Sequence, residues 1–454
     1  MKNLLLNSDS YKYSMHVQYP PGTDYVYSYI ESRGGDYNTV VFFGLQMFIK
    51  DYLMKPITIE DIDEAEKVLL PHVGVFNREG WEYIIKHHGG RLPIEIKAVK
   101  EGTKVPVSNV LVSIINTDPN CFWLTTFLET ALLRAIWYPT TIATQGYYTK
   151  RYLSNALEKS GDVNNLPFML HDFGCRGVSS NESSCIGGLA HLVNFSGTDN
   201  VPALVYANKF YQCETAGYSV PAMEHSTVTS WEQDELGSYT NMVEQYKDKP
   251  IVSCVSDSYD IFQACHMVGI NLSQTIIDNN MTYVIRPDSG DPVDVLIKCL
   301  GILEKYFPSH NNKKQYKVLE HVKLLWGDGI NHDSISRIGN NVMYAGYSLD
   351  NIVFGSGGSL LQQMNRDTLK FAMKCSAIRV NGVWRDVFKN PVTDSGKQSK
   401  RGAVKLYQHK IDKKFITAVN APSDEYEDAM ELVYTNNRLH RDQTLDEIRC
   451  LVDM

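Results

Sequence analysis

Seven short apolar runs in the chain end in polar clusters whose residue types can hold a charged ligand. Phe168-Met169-Leu170 runs into His171-Asp172-Phe173-Gly174-Cys175-Arg176, and Val193-Asn194-Phe195 leads to Gly197-Thr198-Asp199. Ala222-Met223 precedes Glu224-His225, and 251–255 precedes Ser256-Asp257-Ser258-Tyr259-Asp260. Tyr283-Val284-Ile285 ends in Arg286-Pro287-Asp288-Ser289-Gly290, Leu324-Leu325-Trp326 in Gly327-Asp328-Gly329, and Ile352-Val353-Phe354 in Gly355-Ser356-Gly357-Gly358. The last is a glycine turn opening a helix, where bare backbone N–H groups can approach an anion. A flexible turn explains it as well, and no G-x-x-x-x-G-K-[ST] phosphate loop occurs anywhere. Asp288 suits ribose hydroxyls or a magnesium shell and Arg286 a carbonyl or phosphate, although the two can also satisfy each other. His225 can act as general base or phosphoryl acceptor, with Asp257 or Asp260 orienting its ring; a structural histidine is the plainer reading. The stretch 389–402 is basic, with Arg366, Lys370 and Lys374 just upstream. It is either solvated surface or a clamp for a polyphosphate. Together these parts describe a site for a phosphorylated sugar and magnesium.

The clusters recur roughly every 25 to 40 residues, about the length of a βα unit. Strands alternating with helices imply a parallel sheet, and this many units implies closure into an α/β barrel, where functional residues gather at the C-terminal strand ends. Asp, Ser and Gly also serve as caps and turns, so one cluster alone carries little. The first part of the chain differs. It shows strands over 25–31, 94–99 and 110–116 and amphipathic helices over 43–54 and 59–70.

Composition narrows the class. In 454 residues, 43% apolar and 11% aromatic content excludes a disordered chain, and no collagen or heptad repeat marks a fibre. A net charge of −8 argues against a nucleic-acid partner. The window 121–139 is the most apolar but carries Glu129 and Arg134, so it reads as a buried helix and no membrane association is expected. The three leucines after Asn3 are too few for a secretory leader. Nine cysteines without a C-x-x-C pair favour reduced thiols and a cytoplasmic location. His87-His88 reads as a solvated helix end.

These clusters, with Asp9-Ser10-Tyr11-Lys12, Tyr27-Ser28-Tyr29-Ile30-Glu31 and Arg176-Gly177-Val178-Ser179-Ser180, resemble the nicotinamide phosphoribosyltransferases, a type II phosphoribosyltransferase family. The resemblance runs in order over nearly the whole chain. It implies an α/β fold: an irregular α/β barrel beside a mostly β lobe built from the N- and C-terminal segments. The expected division is 1–135 and 371–454 for the lobe and 136–370 for the barrel. It also implies a homodimer with active sites at the interface, and conversion of nicotinamide and 5-phosphoribosyl 1-pyrophosphate to nicotinamide mononucleotide and pyrophosphate. Phe173 and the partner's Tyr11 would stack on the pyridine ring, while Asp199 accepts from the carboxamide N–H and Arg286 donates to its oxygen. Asp288, Gly327 and Asp328 would hold the ribose. Arg176, Gly357 and Gly358 would hold the 5′-phosphate, assisted from the other subunit by Arg366 and Lys374, and Arg33, Lys389 and Lys397 would line the pyrophosphate channel. His225 would be phosphorylated by ATP, with Asp260 orienting it and Glu224 adjacent. Asp260 and Asp288 are the expected magnesium ligands. Ala372 stands where the family commonly has a serine, and the segment between Arg33 and Val40 is short. A nicotinate phosphoribosyltransferase and a non-catalytic pyridine-nucleotide binding protein are the competing readings; Asp199 disfavours the first, because a substrate carboxylate would meet a like charge.

Overall fold

The computed structural model describes residues 3–393 and 398–454. The chain divides into two compact units, one made of residues 1–144, 209–213 and 364–454 and the other of 145–208 and 214–363. The sequence places these divisions after 135 and 370. The observed first boundary falls inside the helix Glu129–Ser160, beyond its internal Pro139.

In the second unit six parallel strands form one sheet: β1 (Leu170–Asp172), β2 (Gly197–Thr198), β3 (Ile251–Val255), β4 (Thr282–Arg286), β5 (Val322–Trp326) and β6 (Ile352–Ser356). Their order is β2-β1-β6-β5-β4-β3. The segment 218–222 joins the two edges, with single parallel bridges from Tyr218 to Gly197 and from Ala222 to Ser253. An irregular barrel results, without a free edge on which another chain could pair. Strand interiors such as Val252, Cys254, Tyr283, Ile285, Leu324 and Phe354 are fully buried, as expected for a parallel sheet covered by helices.

The crossover helices start on the polar clusters. Ser180 caps Asn181–His191, Asp260 caps Ile261–Asn271, Asp291 caps Pro292–Leu303 with proline at the first position, and Asn331 caps His332–Tyr344. Each of these four loops therefore both ends a strand and starts a helix, which fixes its direction.

The first unit holds a seven-stranded antiparallel sheet in the order Val383–Asp386, Phe371–Val380, Thr23–Ser32, Val110–Asn116, Ile94–Ala98, Glu431–Thr435, Arg438–Leu439. N- and C-terminal segments thus share one sheet. The expected helix over 59–70 runs Ile59–Val73, and that over 43–54 is Leu45–Phe48 continued as a π-helical turn, Ile49–Leu53. The apolar window 121–139 is buried helix, Leu124–Phe127 followed by the start of Glu129–Ser160. Among the described residues no helix is long and apolar enough to cross a membrane.

Candidate active site

All seven clusters lie at the C-terminal ends of the barrel strands or, for Glu224-His225, just past the closing segment. Phe173 follows β1. Its N–H donates to Ser356 O on β6 (2.9 Å), and the ring backs onto Gly355 so closely that a Cβ there would lie 2.1 Å from the ring. Arg286, at the end of β4, carries its guanidinium carbon 5.6 Å from the Phe173 ring centre, a cation–π contact, and donates to Met223 O at 3.2 Å. Asp199 follows β2; its N–H donates to Asp172 O (3.0 Å), and its side chain accepts from Ser219 Oγ. An aromatic plate and a cation thus meet from β1 and β4, and a carboxylate stands at the end of β2, the strand paired with β1.

Beneath them lies Asp172, fully buried and accepting from Gly174 N (2.7 Å) and Asn200 Nδ2 (2.9 Å). Burial, the largest effect, pushes its carboxyl up to about 6, against those two hydrogen bonds. Burial likewise drives His171 down to about 4, so its imidazole is neutral at pH 7.

The second half of the mouth is acidic. Asp257 is only 6% exposed; its Oδ2 accepts from Asp288 N (3.1 Å) and Ser289 Oγ (2.7 Å), while its Oδ1 is buried without a hydrogen-bond partner, 3.6 Å from His225 Nε2. His225 Nδ1 lies 3.3 Å from Ser258 Oγ. Asp288 has its pKa raised by burial first, then by Asp257 and, more weakly, Asp328, with Arg286 and His225 opposing. Asp260 Oδ1 takes the two cap hydrogen bonds from Phe262 N and Gln263 N, so the carboxylate standing against His225 is Asp257. Glu224 caps the short helix His225–Thr229 and accepts from Ser226 Oγ. Gly327 lies beside Phe173 and Asp288, whereas a Cβ at Gly358 would meet nothing within 4 Å. Arg176 is exposed in the turn Cys175–Gly177.

In the first unit the expected phosphate-binding cations form their own group. Lys374 has its pKa lowered chiefly by burial, with Arg33, Lys389 and Lys12 pushing the same way and Glu129 opposing. Arg33 Nε pairs with Glu31 Oε1 at 3.0 Å, and one of its terminal nitrogens is buried without a partner. The short segment after Arg33 is held against the turn Arg366–Thr368: Arg33 N donates to Lys370 O (3.2 Å) and Asp36 N to Thr368 O (3.0 Å). Ala372 pairs with Glu31 across the strands and offers no hydroxyl. Arg366 is exposed, 3.2 Å from Asp367, and Tyr11 is 58% exposed. Lys397 lies outside the described residues.

His88 is not simply a solvated end. Its Nε2 lies 2.7 Å from Asp118 Oδ2, and with Cys121 they form a grouping of three potential metal ligands. Asp118 also accepts from Tyr83 and Asn120, and burial pushes the Cys121 thiol up to about 12, so the group is satisfied without an ion.

The sequence model described as the nicotinate phosphoribosyltransferase (NAPRTase) family matches residues 168–436, more than half of the chain. The chain belongs to this family. A second model, the nicotinamide phosphoribosyltransferase N-terminal domain, matches residues 3–96. This NAPRTase-family chain is 48% identical to the nicotinamide phosphoribosyltransferase of Xanthomonas campestris pv. campestris (strain 8004), over all of this chain and 98% of that one. It is 33% identical to that of Acinetobacter baylyi (strain ATCC 33305 / BD413 / ADP1), over 97% and 95%. Its fold matches the nicotinate-nucleotide pyrophosphorylase from Pyrococcus furiosus at TM-score 0.63 and 15% identity, covering 99% of this chain and 94% of that one. Human nicotinic acid phosphoribosyltransferase follows at 0.61 and 14%, covering 99% and 93%.

Sequence reasoning passed over Ser219 and Asp172 as site residues and preferred Asp260 to Asp257. Ser219 sits in an irregular segment interrupted by Pro221, with no strand periodicity to bring it to the barrel mouth.

Two outcomes follow from this packing. Gly355→Ala drives a Cβ into the Phe173 ring and is expected to cost roughly 1–3 kcal/mol of stability, read from denaturant unfolding. Because Asp172 is raised when folded, its contribution to stability is complete below pH ~4 and is lost as pH rises towards about 6. A shift of that size is worth up to roughly 3 kcal/mol. The stability difference between the native chain and Asp172→Asn should therefore change across pH 4–6 and be flat above it.

Proposed function

We propose that the chain is a nicotinamide phosphoribosyltransferase, a pentosyltransferase of NAD salvage that joins nicotinamide to 5-phosphoribosyl 1-pyrophosphate and releases pyrophosphate. The observation that carries this reading is Asp199, a solvent-facing carboxylate in the same strand-end array as Phe173 and Arg286. Phe173 offers one face to the pyridine ring, Asp199 accepts from the carboxamide N–H, and Arg286 donates to its oxygen. The ring nitrogen then attacks C1 of the ribose as pyrophosphate leaves. A neutral pyridine nitrogen needs no base, so the chain's contribution is positioning and charge stabilisation. Asp288, Gly327 and Asp328 would take the ribose, and Arg176, Gly357 and Gly358 the 5′-phosphate.

The buried Asp257 Oδ1, which accepts no hydrogen bond, and the repulsion of Asp288 by Asp257 and Asp328 fit a hard cation with oxygen ligands. Magnesium would be held by Asp288 with the Asp257–Asp260 loop. It would supply positive charge to the pyrophosphate oxygens as the glycosidic bond breaks. His225 is the proposed acceptor of the ATP γ-phosphoryl group, releasing ADP, with Asp257 and Asp260 as nearby carboxylates and Glu224 adjacent. The added negative charge and acceptor oxygens would tighten the magnesium–pyrophosphate site. A homodimer, with the exposed Tyr11 ring completing the partner's base pocket and Arg33, Arg366, Lys374, Lys389 and Lys397 supplying cations, belongs to the same reading. Cys121, Cys175, Cys254, Cys265, Cys299, Cys375 and Cys450 form no disulfide, in keeping with a cytoplasmic setting.

Given nicotinamide and nicotinate at equal concentration, the enzyme should favour the amide by roughly 100-fold, the cost of bringing a second carboxylate against Asp199. Asp199→Ser should narrow that ratio; equal use of both by the native enzyme would refute the assignment. His225→Ala should lose both ³²P transfer from γ-labelled ATP and the ATP-dependent rise in turnover, measured by mass-spectrometric detection of the mononucleotide.

A further inference from the structure

The segment that closes the barrel also sets the geometry of the base pocket. Its first anchor is Tyr218, whose N–H donates to Ser196 O (2.7 Å) and whose carbonyl accepts from Thr198 N (3.0 Å). Its second lies at 221–223, where Ser253 N donates to Pro221 O and Met223 N to Ser253 O, both at 2.9 Å. Ser219 lies between these anchors, one residue from the first, so its backbone cannot drift relative to β2. Asp199 is fixed from the opposite side by its N–H on Asp172 O. From this position Ser219 Oγ donates to Asp199 Oδ1. Met223, at the other end of the segment, accepts from Arg286. The two polar arms that would grip an amide are thus both tied to one stretch of five residues.

A free carboxylate presents about four lone-pair directions and rotates to suit whatever donor arrives. With Oδ1 engaged by a hydroxyl, the group keeps its rotamer and leaves Oδ2 fully open to an incoming donor. An amide N–H meets that acceptor. The anion of the corresponding acid has no donor to offer and brings a second negative charge.

Resting on the activity assigned above, we infer that Ser219 is the positioning residue for base specificity, holding Asp199 so that one fixed oxygen accepts from the substrate's carboxamide. It touches no substrate itself. Its effect is on the binding of the base, not on the departure of pyrophosphate.

The test compares the native enzyme with Ser219→Ala and Ser219→Thr in steady-state assays of nicotinamide, 5-phosphoribosyl 1-pyrophosphate and competing nicotinate. Ser219→Ala should raise KM for nicotinamide roughly three- to tenfold while kcat and KM for the sugar phosphate stay within about twofold. Its preference for the amide over nicotinate should fall, and Ser219→Thr, which restores the hydroxyl, should recover both. A merely structural serine would instead lower the melting temperature and kcat and raise both KM values together. An unchanged nicotinamide KM in Ser219→Ala, or a folded Ser219→Thr no better than alanine, overturns the role of Ser219 while leaving the activity intact. If the native enzyme turns over no nicotinamide, the activity and the role of Ser219 fall together.

Discussion

Four backbone hydrogen bonds along 218–223 close the barrel, and the candidate base pocket depends on them. They tie the closing segment to β2 at one end and β3 at the other. They hold the two edge strands, β2 before Asp199 and β3 before Asp257, to one short segment in addition to the sheet that links them. Closure also explains the glycine behind Phe173. The β1–β6 pairing brings Gly355 against the position of the Phe173 ring, and only a residue without Cβ leaves the ring room to stand.

Closure concentrates charge as well as geometry. Asp257, Asp288 and Asp328 come from three successive strand ends, and at the barrel mouth Asp257 and Asp328 both push the Asp288 carboxyl up, against Arg286 and His225. Asp257 accepts from Asp288 N and Ser289 through one oxygen, while the other stays buried without a hydrogen bond, facing His225. In the other unit the imbalance has the opposite sign. Lys374, Arg33, Lys389 and Lys12 crowd together against Glu129 and Glu31, and burial disfavours the charged lysine.

The placement of the candidate residues was legible because a parallel barrel brings the few positions after each apolar run to one end of the sheet. Phe173, Asp199, Arg286, Asp288 and Asp328 all stand there. The same regularity hid a distinction. Strand-end Asp and Ser residues also cap the next helix, and spacing could not say which of Asp257 and Asp260 does which. The backbone decides it: Asp260 immediately precedes helix Ile261–Asn271 and receives its first N–H groups, leaving Asp257, three residues earlier, to face His225. Lengths were legible to within a few residues wherever periodicity was strong, as in 110–116, and least so inside the long helix that crosses from one unit to the other.

The sequence by itself determined the alternation of strand and helix, the chemical types gathered at the strand ends, and the family they match. These are local properties, set by side-chain period, capping and turn chemistry. The tertiary structure alone decided that a proline-interrupted stretch closes the barrel, that its Ser219 meets Asp199, and that Asp172 is buried beneath the pocket with its carboxyl raised to about 6. Those facts depend on contacts and desolvation between residues far apart in the chain, which no local pattern records.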